Sequence, residues 1–130
     1  MKGEPFFPLG LFVVHCTNGR YANRLQEIAN SPFDTVLNYA VNKCGKKASL
    51  QQVETYLDRL ESLNIKLIYS LKEYFGHGDR DLEAIKMRVD AFKDHPAVIS
   101  WYLNDELPPK HLPQLEERYD LIKTLDPHRP

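Results

Sequence analysis

Adjacent acidic residues stand directly after the most apolar run near the end of the chain. Residues 98–103 are mostly β-branched, aromatic or aliphatic, and Asn104, Asp105 and Glu106 follow them. A carboxyl group can donate or accept a proton during a reaction. The apolar run predicts a buried strand, and (β/α) proteins keep their chemistry at the carboxyl ends of such strands. We therefore expect these acids at the mouth of a parallel sheet.

Further polar side chains end or follow the three earlier predicted strands: His15, Tyr39, Asn42, Lys72 and Glu73. Barrel sites draw their ligands from such positions. Each of them also has the simpler interpretation of ordinary loop polarity. His15 could act as an acid or base near neutral pH, or it could be a solvated loop histidine.

Strand-like and helix-like segments alternate four times along the chain. The predicted strands cover 6–14, 34–41, 65–71 and 97–103, and the predicted helices cover 21–30, 50–63, 82–94 and 113–125. Strands that alternate with helices of this length pair in parallel through right-handed crossovers. The sequence predicts an α/β fold, a parallel (βα)4 unit formed as a single domain by residues 1–130.

Local signals fix several helix ends. Ser49 and Gln52 have the spacing of a capping box, in which each side chain accepts a hydrogen bond from the other residue's backbone N–H. Asn64 is a left-handed stop for that helix, and Asp81 is predicted to cap the next one. Pro113 suits the first turn of the last helix. That helix is predicted to expose residues 116–118 and to bury Leu115, Tyr119, Ile122 and Leu125.

The composition of the chain limits the kinds of partner that it can bind. Its 130 residues carry a formal net charge of −1. With no basic run, nucleic-acid binding and a polybasic membrane patch are not expected. No apolar run is long enough to span a bilayer and no signal-peptide pattern is visible, so we expect a soluble protein and leave its compartment open.

The two cysteines, Cys16 and Cys44, are too few for a disulfide framework and are interpreted as reduced thiols. The alternative, a metal or thiol site of Cys16 with His15, lacks the further ligands that a metal needs. The Gly-rich loop of a phosphate-binding module is also missing after the first strand. We therefore expect neither a metal nor a cofactor.

Four segments in this order resemble the catalytic domain of clan A glycoside hydrolases. Residues 3–10 (GEPFFPLG) are similar to the opening segment of that barrel, and residues 33–39 (FDTVLNY) are similar to its second strand. Residues 95–106 (HPAVISWYLNDE) resemble the fourth strand, and residues 125–130 (LDPHRP) resemble the stretch before the fifth. The resemblance covers essentially the whole chain and implies the N-terminal half of a (β/α)8 barrel.

The resemblance implies a carbohydrate hydrolase with Glu106 as the general acid/base. Together with Asn104 and Asp105, the strand-end residues His15, Tyr39 and Glu73 are candidates to contact the sugar, because barrel sites draw their ligands from such positions. The family usually has Asn directly before the catalytic Glu, where this chain has Asp105. The family's nucleophile lies on a seventh strand, which this chain lacks, so the sequence leaves open whether the chain is an enzyme.

Trp101 is a candidate to stack on a sugar ring through its apolar face, and its alternative is a place in the core.

Half a barrel leaves the inner face of its sheet uncovered. A full barrel packs three layers of four inward side chains, so half a barrel contributes about six. At about 1.5–3 kcal/mol for each buried side chain, an uncovered inner face forgoes roughly 9–18 kcal/mol of hydrophobic stabilisation. That is comparable to the stability of a whole domain, about 5–15 kcal/mol. We expect a homodimer that completes an eight-stranded barrel through the inner faces and edge strands, since two-fold homodimers are the commonest assembly.

Other interpretations stay open at this point. The cover could be a separate chain or a C-terminal continuation, or the sheet could close in a flavodoxin-like way. The function could equally be that of a non-catalytic half-barrel fragment, a self-associating scaffold or a carbohydrate-binding module. These alternatives keep the mouth residues and lack the second acid that glycoside hydrolysis needs.

Overall fold

Four parallel strands alternate with four α-helices in the computed structural model, which describes residues 4–14, 24–43 and 47–130. In chain order the elements are β1 (Gly10–Val13), α1 (Leu25–Ala29), β2 (Thr35–Asn38), α2 (Leu50–Ser62), β3 (Lys66–Ser70), α3 (Asp79–Phe92), β4 (Val98–Tyr102) and α4 (Leu112–Leu125). A short 3-10 turn at Pro109–His111 precedes α4. The predicted alternation is confirmed, and none of the helices in these ranges is long and apolar enough to cross a bilayer.

The sheet follows the order of the chain, β1-β2-β3-β4, and every neighbouring pair is parallel. This topology is consistent with half of a (β/α)8 barrel. The strands are shorter than predicted, most of all β1. Pro8 has no backbone N–H to donate to a ladder, and the N–H of Leu9 donates instead to the Asp34 carboxylate at 2.9 Å.

The start and end of α2 agree with the sequence. The Ser49 hydroxyl accepts from the backbone N–H of Gln52 at 3.1 Å, and the Gln52 side chain accepts from the backbone N–H of Ser49 at 2.9 Å. Asn64 has a φ of 56° directly after the helix, in the left-handed region where a short polar side chain is tolerated. The capping box and the stop are confirmed.

The predicted cap of α3 is wrong. The helix begins at Asp79 with Gly78 at the cap position, so Asp81 lies inside the first turn. Its carboxylate reaches back and accepts from the backbone N–H of His77 at 2.7 Å. Gly78 has a φ of 65°, a conformation that glycine adopts at little cost. The glycine therefore sets the helix start one turn earlier than the acidic residue suggested.

The helices cover one face of the sheet and form the core there. The strands contribute Val36, Leu67, Tyr69, Val98 and Trp101, and α2 and α3 contribute Val53, Tyr56, Leu57, Leu60, Ile85, Val89 and Phe92. Asn38 also points to this side, where its amide donates to the Tyr56 hydroxyl at 3.2 Å. The apolar stripes of α2 and α3 are thus used as their helical spacing predicts.

The register between β3 and β4 shifts by one residue. Val98 pairs with Leu67, but Ser100 pairs with Ile68, so Ile99 is an extra residue on β4. Strict alternation from Val98 would put Trp101 on the opposite face. Because of the shift, Trp101 shares the helix side with Val98, and Tyr102 faces the other way beside Ser70.

The other face of the sheet, which we call the open face, carries both apolar and polar side chains and is unevenly exposed. Phe12 of β1 is 73% exposed, whereas Leu37, its neighbour on β2, is only 6% exposed. Thr35 and Ser70 on this face are also buried. The central strands are therefore largely shielded by their neighbours, and the exposed apolar surface is greatest at β1.

The pattern on α4 differs from the prediction most at Arg118 and Tyr119, and Leu115 and Leu125 are only half-buried. Tyr119 is exposed, and Arg118 is buried instead, with 4% of its surface accessible. The Arg118 guanidinium donates to the Asp81 carboxylate at 3.1 Å, which accounts for a charged residue in this position. Ile122 is buried as predicted. The run 116–118 is consequently not a fully solvated face.

Candidate functional site

Three side chains from three different strand ends meet at the carboxyl end of the sheet. Lys72 follows β3, and its ammonium forms an ion pair with the Asp105 carboxylate beyond β4. The hydroxyl of Tyr39, directly after β2, donates to the same carboxylate at 3.3 Å. The Lys72 ammonium also lies 4.9 Å from the centroid of the Tyr39 ring. We call Tyr39, Lys72 and Asp105 the mouth cluster.

The mouth cluster keeps Asp105 ionised. The hydrogen bond from Lys72 is the main cause that lowers the pKa of Asp105, and the Tyr102 hydroxyl adds to it. The same hydrogen bond raises the pKa of Lys72. Burial, followed by the neighbouring Tyr39 and Asp105 side chains, raises the pKa of Tyr102. Asp105 is thus an anion held by neighbouring donors, which suits a positioning role better than proton transfer.

Glu106 is placed differently from its neighbour Asp105. Its side chain is exposed, and its backbone has a φ of 51°, which is unusual for a residue other than Gly, Asn or Asp. Asn104 is half-buried, and its side-chain oxygen accepts from the backbone N–H of Asp105 at 2.9 Å. The turn after β4 therefore leaves the Glu106 carboxyl group accessible to a ligand at the mouth.

An aromatic row crosses the open face next to the mouth cluster. The Phe12 and Tyr39 rings have centroids 6.0 Å apart, and the Tyr39 and Tyr102 rings have centroids 5.7 Å apart. Both pairs are tilted, an arrangement favoured by aromatic side chains. Such a row offers apolar surface directly beside charged and hydrogen-bonding groups.

Glu73 belongs to a separate groove. Its carboxylate lies 3.6 Å from the Lys43 ammonium, across the loops that follow β2 and β3. Asn42, another strand-end residue, is fully buried and accepts from the Tyr69 hydroxyl at 2.5 Å. Its amide donates to the backbone of Ser70 at 2.9 Å. Asn42 therefore ties the ends of β2 and β3 together instead of facing solvent.

The structure brings Tyr39 and Asp105 into contact, and Asn104 and Glu106 flank Asp105 in the turn after β4. Trp101 lies apart from them in the core, where its indole N–H donates to the Asp126 carboxylate at 2.8 Å. Its ring packs against Tyr69 with a centroid distance of 5.3 Å. His15 lies outside the described residues, so the hypothesis about it stays a prediction.

Sequence reasoning undervalued Lys72 and did not single out Phe12. Lys72 was one of several polar residues after strands, and only the fold shows that it meets Asp105, 33 positions later. Phe12 was counted as strand hydrophobicity. The alternation of side chains along β1 could have identified it. Helices cover only one face of the sheet, and Val13 packs on that face, so its neighbour Phe12 must point to the other face.

One cluster of acidic residues and a histidine lies at the opposite end of the sheet. Ligand atoms of Asp58, Glu61 and His95 fall within 4.8 Å of one another. However, Nδ1 of His95 accepts from the backbone N–H of Ala97 at 3.1 Å, which leaves the proton on Nε2, 3.0 Å from Asp58. A protonated Nε2 has no lone pair for a metal. The cluster is therefore better explained as a hydrogen-bonded pair that fastens α2 to the loop before β4.

Chemically, the mouth can offer one accessible carboxyl group, a fixed anion, an ammonium group and aromatic surface. Two carboxyl groups free for reaction are needed for ordinary glycoside hydrolysis, and they must be about 5–9.5 Å apart. Of the two adjacent acids after β4, only Glu106 is uncommitted, since Asp105 is paired with Lys72. No family model matches the chain, and no curated protein shows significant similarity to it.

Proposed function

We propose that the chain is a glycoside-hydrolase-like half-barrel in which Glu106 is the general acid/base. The observation that carries this proposal is the contrast between the two adjacent acids. Asp105 is held ionised by Lys72 and Tyr39, whereas Glu106 stands exposed at the same mouth. Proton transfer to a leaving oxygen requires a carboxyl group that the substrate can reach, and the exposed Glu106 meets that condition.

The aromatic row supports a sugar as the ligand. Phe12 and Tyr39 present ring surface to solvent beside Asp105 and Lys72. A sugar ring has apolar C–H faces and hydroxyl groups at its edge, so it matches a surface that is aromatic on one side and charged on the other. The left-handed backbone at Glu106 fits the same proposal, because strained conformations concentrate at functional sites.

The second carboxyl group is proposed to come from a second copy of the chain. If two open faces pack together, the two mouths combine and Glu106 occurs twice, on opposite walls. Phe12 and Val14, both highly exposed, would be covered in that assembly. Covering a large apolar side chain is worth about 1.5–3 kcal/mol, which favours association.

Hydrolysis of a panel of aryl glycosides tests the catalytic proposal. We expect turnover by the wild-type chain and its loss in Glu106→Gln, which keeps the size of the side chain and removes its acid. Glu54→Gln, an exposed glutamate on α2, is the matched control and should keep full activity. Equal activity of Glu106→Gln and Glu54→Gln would contradict the role of Glu106.

A carbohydrate-binding module without catalysis is the second candidate. It is favoured by the pairing of Asp105 with Lys72, which leaves one uncommitted acid in each copy. Under this alternative a sugar would bind to the aromatic row and Phe12→Ala would weaken binding, but no glycoside would be hydrolysed. Saturable sugar binding with no turnover by the dimeric chain would select this function.

A further inference from the structure

A groove of about 540 Å³ lies beside the loops that follow β2 and β3, away from the mouth cluster. Three cationic side chains and a histidine line it: Lys43, Lys47, Arg80 and His77. Two carboxylates also line the groove, and each already has a partner. Glu73 lies 3.6 Å from Lys43, and Asp81 lies 3.1 Å from Arg118. The charge left unbalanced at this groove is therefore positive.

Two buried arginines near the groove differ in how they are satisfied. Arg118 donates to the Asp81 carboxylate and to the backbone oxygens of Tyr74 and Gln114. Arg88, only 2% exposed, donates through Nη2 to the backbone oxygen of Ala48 at 2.6 Å. Its Nη1 has no hydrogen-bond partner among residues 4–14, 24–43 and 47–130. Arg88 is thus a buried cation for which the described chain supplies no anion.

Arg88 lies on α3 behind the groove, next to the lining residue Tyr74, and is not itself part of the lining. Asp81 and Ala84, which line the groove, lie seven and four positions before it on one face of the helix. A helical side chain also points back over the preceding turn, toward Ala84. The Tyr74 hydroxyl, on the lining residue opposite, likewise has no hydrogen-bond partner in the described part of the chain. Burial raises the pKa of Tyr74, and the adjacent Arg88 cation opposes that rise.

A buried charge without a partner is costly, and an anion that enters the groove would remove that cost. We propose that this groove binds the phosphate group of a small molecule, with the Tyr74 hydroxyl as a donor, the buried Arg88 cation behind it, and Lys43 and Lys47 at the rim. Phosphate suits the site better than a carboxylate, since its several oxygens can accept from donors on different sides. This proposal is independent of the role of Glu106.

Titration of the full chain with inorganic phosphate tests this site. Isothermal calorimetry and amide NMR shifts should show saturable binding of one phosphate, with a Kd below about 1 mM and with shifts at residues 43, 47, 74 and 80. Tyr74→Phe removes only the unbonded hydroxyl and should weaken binding by up to about tenfold, the loss expected for one charge-assisted hydrogen bond. Arg88→Met should abolish binding, and Tyr74→Phe keeps the test valid if that variant does not fold.

Charge-matched variants separate a specific site from general attraction. Lys43→Ala/Lys47→Ala should weaken phosphate binding strongly, while Lys86→Ala/Lys110→Ala removes the same charge outside the groove and should leave the Kd unchanged. Equal loss in both double variants would overturn the proposal, as would the absence of saturation. Acetate that binds as tightly as phosphate would overturn the assignment to a phosphate group.

Discussion

The Lys72 ammonium is paired with the Asp105 carboxylate, which joins the segment after β3 to the segment after β4 at the carboxyl end of the sheet. The pair fixes the direction in which the turn of residues 104–106 leaves the strand. The two adjacent acids therefore differ: Asp105 is held ionised by the pair, and Glu106 is accessible.

Lys72→Met should raise the pKa of Asp105, because its main stabilising partner is lost. In the wild type the lowered pKa of Asp105 contributes stability above the unfolded value of about 3.9, and this contribution disappears as the pH falls through the folded pKa. The variant should therefore lose less stability on acidification. Carbon NMR of the Asp105 carboxyl group and urea unfolding at several pH values measure both effects.

Lys72 makes the stability of the protein depend on pH in the alkaline range. Its raised pKa contributes stability below the unfolded value of about 10.4, which is lost as the pH rises through the folded pKa. Both groups are partly exposed, so salt should weaken the effect. Lys86→Met, at an exposed residue of α3, is the control. An Asp105 pKa that is the same in the Lys72→Met variant and the wild type would show that the pair does not form.

Arg118→Met should lower the free energy of unfolding by about 3–5 kcal/mol, since it leaves the buried Asp81 carboxylate without its arginine partner. Adding Asp81→Asn should restore part of that loss. The amide can still accept from the backbone N–H of His77 and carries no charge. Urea unfolding of the two variants measures the difference. A further loss of stability in the double variant would mean that the Asp81 charge is not the cause.

Removal of the α2 cap tests the clearest local signal in the sequence of this helix. Ser49→Ala should cost about 1 kcal/mol of stability, because the backbone N–H of Gln52 loses its acceptor. Ser62→Ala, at the other end of α2, removes a hydroxyl that donates to the helix backbone and should cost less. Thermal unfolding compares the two, and an equal loss would argue against the capping box.

Glu106→Gly should raise the free energy of unfolding by about 1 kcal/mol, since glycine adopts a φ of 51° without the steric cost of a side chain. The same change at Glu54, inside α2, should lower stability by about 1 kcal/mol. If Glu106 is kept for its chemistry, the more stable variant should also be inactive on the substrate that the wild type hydrolyses. A loss of stability equal to that of Glu54→Gly would show that the backbone at Glu106 carries no strain.

Local chemistry accounts for the parts of the fold that the sequence predicted well. The cap at Ser49, the stop at Asn64 and the alternation of strands and helices all depend on residues close together in the chain. The contact of Tyr39 with Asp105 follows from parallel topology, because the carboxyl ends of the strands share one edge.

Long-range pairing accounts for what the sequence could not provide. The burial of Arg118 in place of Tyr119 depends on Asp81, 37 positions earlier. The orientation of Trp101 depends on a one-residue shift between β3 and β4, which reverses the faces that simple alternation predicts. Neither the partner of a buried charge nor the position of a bulge can be identified from the local pattern of apolar and polar residues.

The mass of the chain in solution tests most directly the claim that a second copy covers the open face. Light scattering after size-exclusion chromatography at micromolar concentration should give twice the chain mass of 15.1 kDa. Phe12→Asp, which puts a charge on that face, should give the monomer, while Met87→Asp on the exposed side of α3 should leave the dimer intact. A wild-type mass of 15.1 kDa at every concentration would contradict the account.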